Sequence, residues 1–188
     1  GPPTITSVEK VGAGDLGSEG GEQIIIRGTN LGPTLNNVYY GPNSTEGRGY
    51  VAADCKLTDA KTFTEVTCNS VSGIGGPIHF VVSANGQLSK LSTVTLNYEL
   101  PRIISLDPTR VPARGGQIIV NATGLALSNK ASSTSIYVNG NDEPASNGVE
   151  NEFDDSTNSI TFVAPELSQL VGGKAEMSVA LRVTVLHQ

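Results

Sequence analysis

Short runs of β-branched and aromatic residues recur along this chain, separated by stretches rich in glycine, asparagine and serine. TITSV at 4–8 alternates apolar and polar positions and predicts a strand with Ile5 and Val8 turned inward. EQIIIRG at 22–28 is too short for a helix and is bounded by glycines, so it predicts a second strand. NNVYYG (36–41), EVTCN (65–69) and IHFVVS (78–83) predict three more. The last of these places Ile78, Phe80 and Val82 on one face and His79 on the other, toward solvent. An Asn-Gly pair within ANGQ (84–87) is a strong hairpin signal, and it leads into a closing strand, STVTLNY (92–98). Helical periodicity is scarce. AADCKLTDAKTF (52–63) is the one candidate, and it supports a turn at most.

The pattern is then written a second time. PRIISL (101–106) answers PTITSV (3–8), and GGQIIVNATGL (115–125) answers GGEQIIIRGTNL (20–31) with one residue deleted. TSIYVNG (134–140), NSITFVAP (158–165) and AEMSVALRVTVL (175–186) answer NNVYYG, EVTCNS and IHFVVS. A repeat at this spacing predicts two copies of one domain, 3–99 and 100–188, each an all-β sandwich of about a hundred residues. Only two residues separate Tyr98 from Pro101, too few for a flexible linker. The paired glycines before each buried run let the chain turn sharply with positive φ. Gly28, after the first run, admits close approach of a neighbouring backbone; Ala122 stands in its place in copy two, so the demand there is for a small residue. Copy two also ends differently. Its last apolar segment is not followed by a turn and a closing strand, so Val179, Leu181, Val183 and Val185 are expected on an unpaired sheet edge, open to a second copy or another chain.

The 22 glycines and 10 prolines, with no tryptophan, fit many turns and modest cores. A net charge of −6 and the absence of any basic stripe beyond Arg110 and Arg114 argue against nucleic acid as a partner. No run of eighteen apolar residues occurs, so no membrane contact is expected of this segment. The opening Gly1-Pro2 reads as the remnant of a cleaved tag, which predicts a fragment of a longer protein. Cys55 and Cys68 enclose 12 residues, with no further Cys or His near to complete a zinc site. Spacing alone leaves two buried thiols and a disulfide equally open.

The residues Pro3, Ile5, Ser7, Gly20, Gly21, Ile24, Ile26, Gly28, Asn30, Leu31, Gly32, Val38, Gly41, Cys55 and Cys68 together resemble the IPT/TIG domain, the immunoglobulin-like fold shared by plexins and transcription factors. In copy two the resemblance rests on Pro101, Ile103, Ser105, Gly115, Gly116, Ile118, Val120, Gly124, Leu125, Val138 and Gly140; the cysteines are lost, Ala122 replaces Gly28 and Gly124 replaces Asn30. The resemblance implies two tandem immunoglobulin-like β-sandwiches. In extracellular members of that family a cysteine pair so placed is commonly bonded, which implies a Cys55–Cys68 disulfide and an extracellular home.

Function must come from a site and not from a fold. His79 and His187 lack a nucleophile in motif context, and GAG (12–14) is not followed by a helix as a dinucleotide loop would be. No catalytic residue and no cofactor are expected. ENEFDD (150–155), with Asp142 and Glu143, matches no calcium-loop spacing and reads as a solvated acidic loop. Two glycosylation sequons begin at Asn43 and Asn121; 14 asparagines and 35 serines and threonines in 188 residues produce that many by chance. Strand alternation must split Tyr39-Tyr40 between core and surface. The outward ring, beside GPNSTEGRGY, is a candidate contact anchor, although packing across the sheet is the more ordinary use of such a residue. The expected function is non-catalytic: cell adhesion or receptor–ligand recognition of a protein, homophilic or heterophilic. The alternative is an accessory carbohydrate-binding or spacer module of a secreted carbohydrate-active enzyme, for which the lack of tryptophan is a weakness.

Overall fold

The computed structural model describes residues 1–58, 61–125, 132–138, 152–154, 159–164, 166 and 179–185. They divide into two compact units, one running from Gly1 to Glu99 and one that begins at Leu100. Both are built of antiparallel strands, and no α-helix occurs among the described residues.

In the first unit, β1 (Thr4–Lys10), β2 (Gln23–Thr29), β5 (Ala53–Leu57) and β6 (Glu65–Asn69) form one sheet in the order β1-β2-β6-β5. The second sheet has the order β4-β3-β7-β8, from β3 (Leu35–Gly41), β4 (Tyr50–Val51), β7 (His79–Ala84) and β8 (Gln87–Leu88). Between them lies the core: Val8, Ile24, Ile26, Val66 and Cys68 from the first sheet meet Val38, Tyr40, Phe80 and Val82 from the second. This is a β-sandwich.

The second unit repeats the plan. β9 (Arg102–Asp107), β10 (Gly116–Thr123), β12 (Glu152–Asp154) and β13 (Ser159–Ala164) form a sheet in the order β12-β13-β10-β9. That is the order of β5, β6, β2 and β1. β11 (Ser132–Val138) and β14 (Val179–Val185) pair as β3 and β7 do. The repeat extends to irregularities. In the first unit the register steps from Ile5↔Gly28 to Ser7↔Arg27, leaving Thr6 as a bulge; in the second it steps from Ile103↔Ala122 to Ser105↔Asn121, leaving Ile104. The bulge resets the alternation, which is why Ile5 and Val8, three apart, both face inward.

Three expectations change. AADCKLTDAKTF holds strand β5, not a helical turn, because its outward residues alternate with Cys55 and Leu57, which pack on the core. ENEFDD holds strand β12 at Glu152–Asp154; Asp142 and Glu143 lie outside the described residues, as does His187. STVTLNY is not a ladder strand. It makes the single bridges Ile78↔Leu96 and Leu16↔Tyr98, while the hydroxyls of Ser89 and Ser92 accept the N–H groups of Val82 and Phe80 at 3.0 and 2.9 Å. Two serine side chains thereby stand in for strand backbone beside β7. Val179, Leu181, Val183 and Val185 lie on β14 opposite Val138, Ile136, Thr134 and Ser132 of β11, the one ladder partner of β14 among the described residues.

Candidate functional site

Cys55 and Cys68 form a disulfide between adjacent strands, with Cα atoms 4.1 Å apart. The register shift between Ala53 and Lys56, with Asp54 at φ 51°, turns Cys55 inward on edge strand β5 toward the buried Cys68. Cross-linking two residues at a sequence separation of 13 contributes about 3 kcal/mol in the chain-entropy picture. The bond is structural.

Tyr40, Tyr50, Phe80 and Tyr98 form a buried aromatic cluster, with neighbouring ring centroids 5.3 to 5.8 Å apart. Its hydroxyls are satisfied internally. Tyr98 donates to the Val71 carbonyl, so Tyr40 donates to the Tyr98 oxygen at 2.9 Å and itself accepts the Val71 N–H at 2.8 Å. Burial pushes the Tyr40, Tyr50 and Tyr98 phenols above their ordinary range, most strongly at Tyr98, beside Tyr40 and Tyr50. None of the three is a candidate acid or base near neutral pH.

Surface charges of the first unit hold loops and strands together. The Lys10 ammonium sits 2.8 Å from Glu22 Oε1 and donates to the carbonyls of Ala13 and Asp15, pinning the glycine-rich loop 11–21. Burial acts to raise the Glu22 carboxyl, but Lys10 and the Gly17 N–H outweigh it and leave the group below its usual range. Arg27 bridges Glu9 and Glu65 across β1, β2 and β6, and the Glu9 hydrogen bond leads in raising its pKa. His79 is half-buried, a correction to its expected place in solvent; its Nδ1 donates to the Ser92 carbonyl at 2.8 Å. No cluster of metal-ligating side chains occurs among the described residues.

The sequons differ in setting. Asn43 is exposed and opens a one-turn 3-10 helix, Asn43–Thr45, whose Thr45 hydroxyl donates to the Pro42 carbonyl. Asn121 lies half-buried on β10, between β9 and β13, and donates to Ser105 Oγ at 2.9 Å.

The two sheets of the first unit present opposite electrostatic characters. β1, β2, β5 and β6 carry Glu9, Lys10, Arg27, Asp54, Lys56 and Glu65. β3, β4, β7 and β8 carry no Asp, Glu, Lys or Arg, and His79 on β7 is their one imidazole. On the outer face of this neutral sheet, Tyr39 lies between Val51 and Val81, and Asn37 pairs with Ser83, itself opposite Leu88. Tyr40 goes to the core and Tyr39 stays half-exposed, the split that alternation requires. Asn37 Nδ2 donates to the Tyr39 hydroxyl at 3.1 Å. Val51 and Leu88 are exposed, while Val81 is nearly covered, with Gly47 and Leu91 close by. The sequence singled out the Tyr39-Tyr40 pair without saying which ring faces outward, and not the surroundings, which arise only when β3 is set between β4 and β7.

No family model matches the chain. Solved structures similar to it include the following two. One is described as SGBP-B from a complex xyloglucan utilization locus in Bacteroides uniformis: identity is 18%, TM-score 0.37, over 87% of this chain and 42% of that one. The other is a crystal structure with xylogluco-oligosaccharide: identity is 16%, TM-score 0.38, over 87% of this chain and 34% of that one. The chain thus spans less than half the length of either structure. At these scores the likeness carries no argument about ligand.

Proposed function

We propose that this chain is a non-catalytic extracellular recognition module, a segment through which a larger protein engages carbohydrate. The observation that carries the non-catalytic part is the use made of ionisable side chains in the first unit: Lys10, Glu22, Arg27, Glu9, Glu65 and His79 are committed to contacts that hold strands and loops. The Cys55–Cys68 bond supports an oxidising, extracytoplasmic setting. No helix among the described residues is long and apolar enough to cross a membrane. We read both units as IPT/TIG-like, supported by the bulge they share at Thr6 and Ile104.

Carbohydrate is preferred over protein as the partner because this sheet carries no Asp, Glu, Lys or Arg and sets Tyr39 beside Asn37 and Ser83. A cell-surface protein, including a second copy of this chain, is the second reading. The exposed Val51 and Leu88 favour it, since apolar residues flanking an aromatic anchor suit a protein contact. Incubating the intact chain with xyloglucan and galactomannan tests the proposal. Retention on immobilised polysaccharide with no release of reducing ends is the expected result. Release of reducing ends, or retention by a cell-surface protein and by no polysaccharide, would overturn it.

A further inference from the structure

From the charge-free β4-β3-β7-β8 sheet of the first unit, we infer a binding face for an uncharged oligosaccharide, centred on Tyr39. The inference deepens the carbohydrate reading above and rests on it.

Three observations combine. The first is contrast within one sandwich: six charged residues lie on the strands of one sheet and none on the other. In a chain of net charge −6, a sheet without Asp, Glu, Lys or Arg, whose one imidazole, His79, is tied to the Ser92 carbonyl, admits a ligand without stripping water from a carboxylate, ammonium or guanidinium. An anionic ligand would need lysine or arginine among these strands, and there is none. The second is the placement of aromatic rings. Tyr40, Tyr50, Phe80 and Tyr98 are sealed in the core, and Tyr39 alone of the rings on these four strands stays half-exposed on the outer face. A phenol ring offers the apolar C–H face of a pyranose a flat partner, and its hydroxyl end remains polar. The third is the neutral polar row beside it. Asn37 and Ser83 lie opposite each other across β3 and β7, one row from Tyr39. The Asn37 amide offers both donors and an acceptor, and the Ser83 hydroxyl both roles, which matches the mixed character of sugar hydroxyls. The Asn37–Tyr39 hydrogen bond fixes the ring's polar end before any ligand arrives. Val51, beside Tyr39 in the same row, extends the apolar surface over β4, and Leu88 stands exposed at the far end of the Asn37–Ser83 row.

The test compares the parent chain with Tyr39→Ala, Tyr39→Phe, Asn37→Ala and Arg27→Ala by affinity electrophoresis in xyloglucan, galactomannan and polygalacturonate. Circular dichroism melts establish that each variant is folded. The parent is expected to be retarded by at least one neutral polysaccharide and not by polygalacturonate. Tyr39→Ala should weaken retardation at least tenfold and Asn37→Ala several-fold, while Tyr39→Phe stays within about threefold and Arg27→Ala, on the opposite sheet, is unchanged. If the parent binds a neutral polysaccharide and Tyr39→Ala and Tyr39→Phe bind equally well, this face is the wrong one and the carbohydrate reading stands. Binding only to polygalacturonate overturns the inference of an uncharged ligand. Binding to neither polysaccharide class, with self-association lost in Tyr39→Ala, overturns both in favour of a protein partner.

Discussion

At the scale of single residues, the two copies show which positions are dictated by backbone and which by side chain. Asn30 and its counterpart Gly124 both sit in the left-handed region, at φ 58° and 73°. Asparagine and glycine are the residues that adopt this conformation at least cost. Asn30→Gly should therefore be nearly neutral, whereas Asn30→Ala should lose about 1 kcal/mol in a denaturant titration. Gly28 is constrained differently, since a Cβ there would overlap the Thr4 carbonyl oxygen. Copy two carries Ala122 at the same point of the register, opposite Ile103, buried and accommodated. Gly28→Ala is expected to cost roughly 1–3 kcal/mol, the range for overpacking a filled site, while the reciprocal Ala122→Gly should cost under about 1 kcal/mol, the entropic effect of glycine in a strand. Equal costs at the two sites would show that the strand spacing does not differ between the copies.

Among elements, the outer side of β7 is laddered to β8 only at Ser83 and Ala84. Ser89 and Ser92 supply the acceptors that a full neighbouring strand would offer to Val82 and Phe80. Removing one leaves a buried N–H without its partner, a loss of about 1–3 kcal/mol. Ser92→Ala should show it as a lower denaturation midpoint and faster amide exchange at Phe80, with Val82 unaffected. The disulfide acts on another pair of elements, β5 and β6. Replacing both cysteines by alanine should cost about 2–4 kcal/mol without changing the strand content of the fold by circular dichroism. An unchanged midpoint would mean that the β5–β6 ladder alone fixes this edge.

Across the whole first unit, pH dependence follows from two opposite shifts. The Glu22 carboxyl is lowered in the folded state, so its contribution is present above the unfolded value of about 4.5 and is lost as pH falls through the lower folded value. The buried tyrosines are raised, so their contribution is full below about 10, the ordinary phenol value, and is lost as pH rises beyond it. Thermal melts from pH 2 to pH 12 should thus fall at both ends. Tyr98→Phe should lower stability at neutral pH by about 1–3 kcal/mol, through the lost bond to Val71, and flatten the alkaline limb. An alkaline limb as steep as the parent's would place the titrating group elsewhere.

What the sequence by itself determined is local and periodic. Alternation and short β-branched or aromatic runs located β1, β2, β3, β6 and β7, the Asn-Gly pair located the turn at Asn85-Gly86, and the repeated strings located the second copy, because side-chain parity, β-propensity and positive φ are properties of a few adjacent residues. The disulfide was legible only through family resemblance, since spacing allowed two free thiols. Tertiary structure decided the rest. β5 and β12 are strands because β6 and β13 offer them an edge, not because AADCKL or ENEFDD favours one. Beside β7 the N–H groups of Phe80 and Val82 go to the hydroxyls of Ser92 and Ser89, so STVTLNY adds single bridges and no continuous ladder. The neutral face around Tyr39 is assembled from residues some forty positions apart, brought side by side by pairing of β3 with β7. Its absence of charge is a property of a sheet, and a sheet's membership is fixed by long-range pairing that no window of neighbouring residues contains.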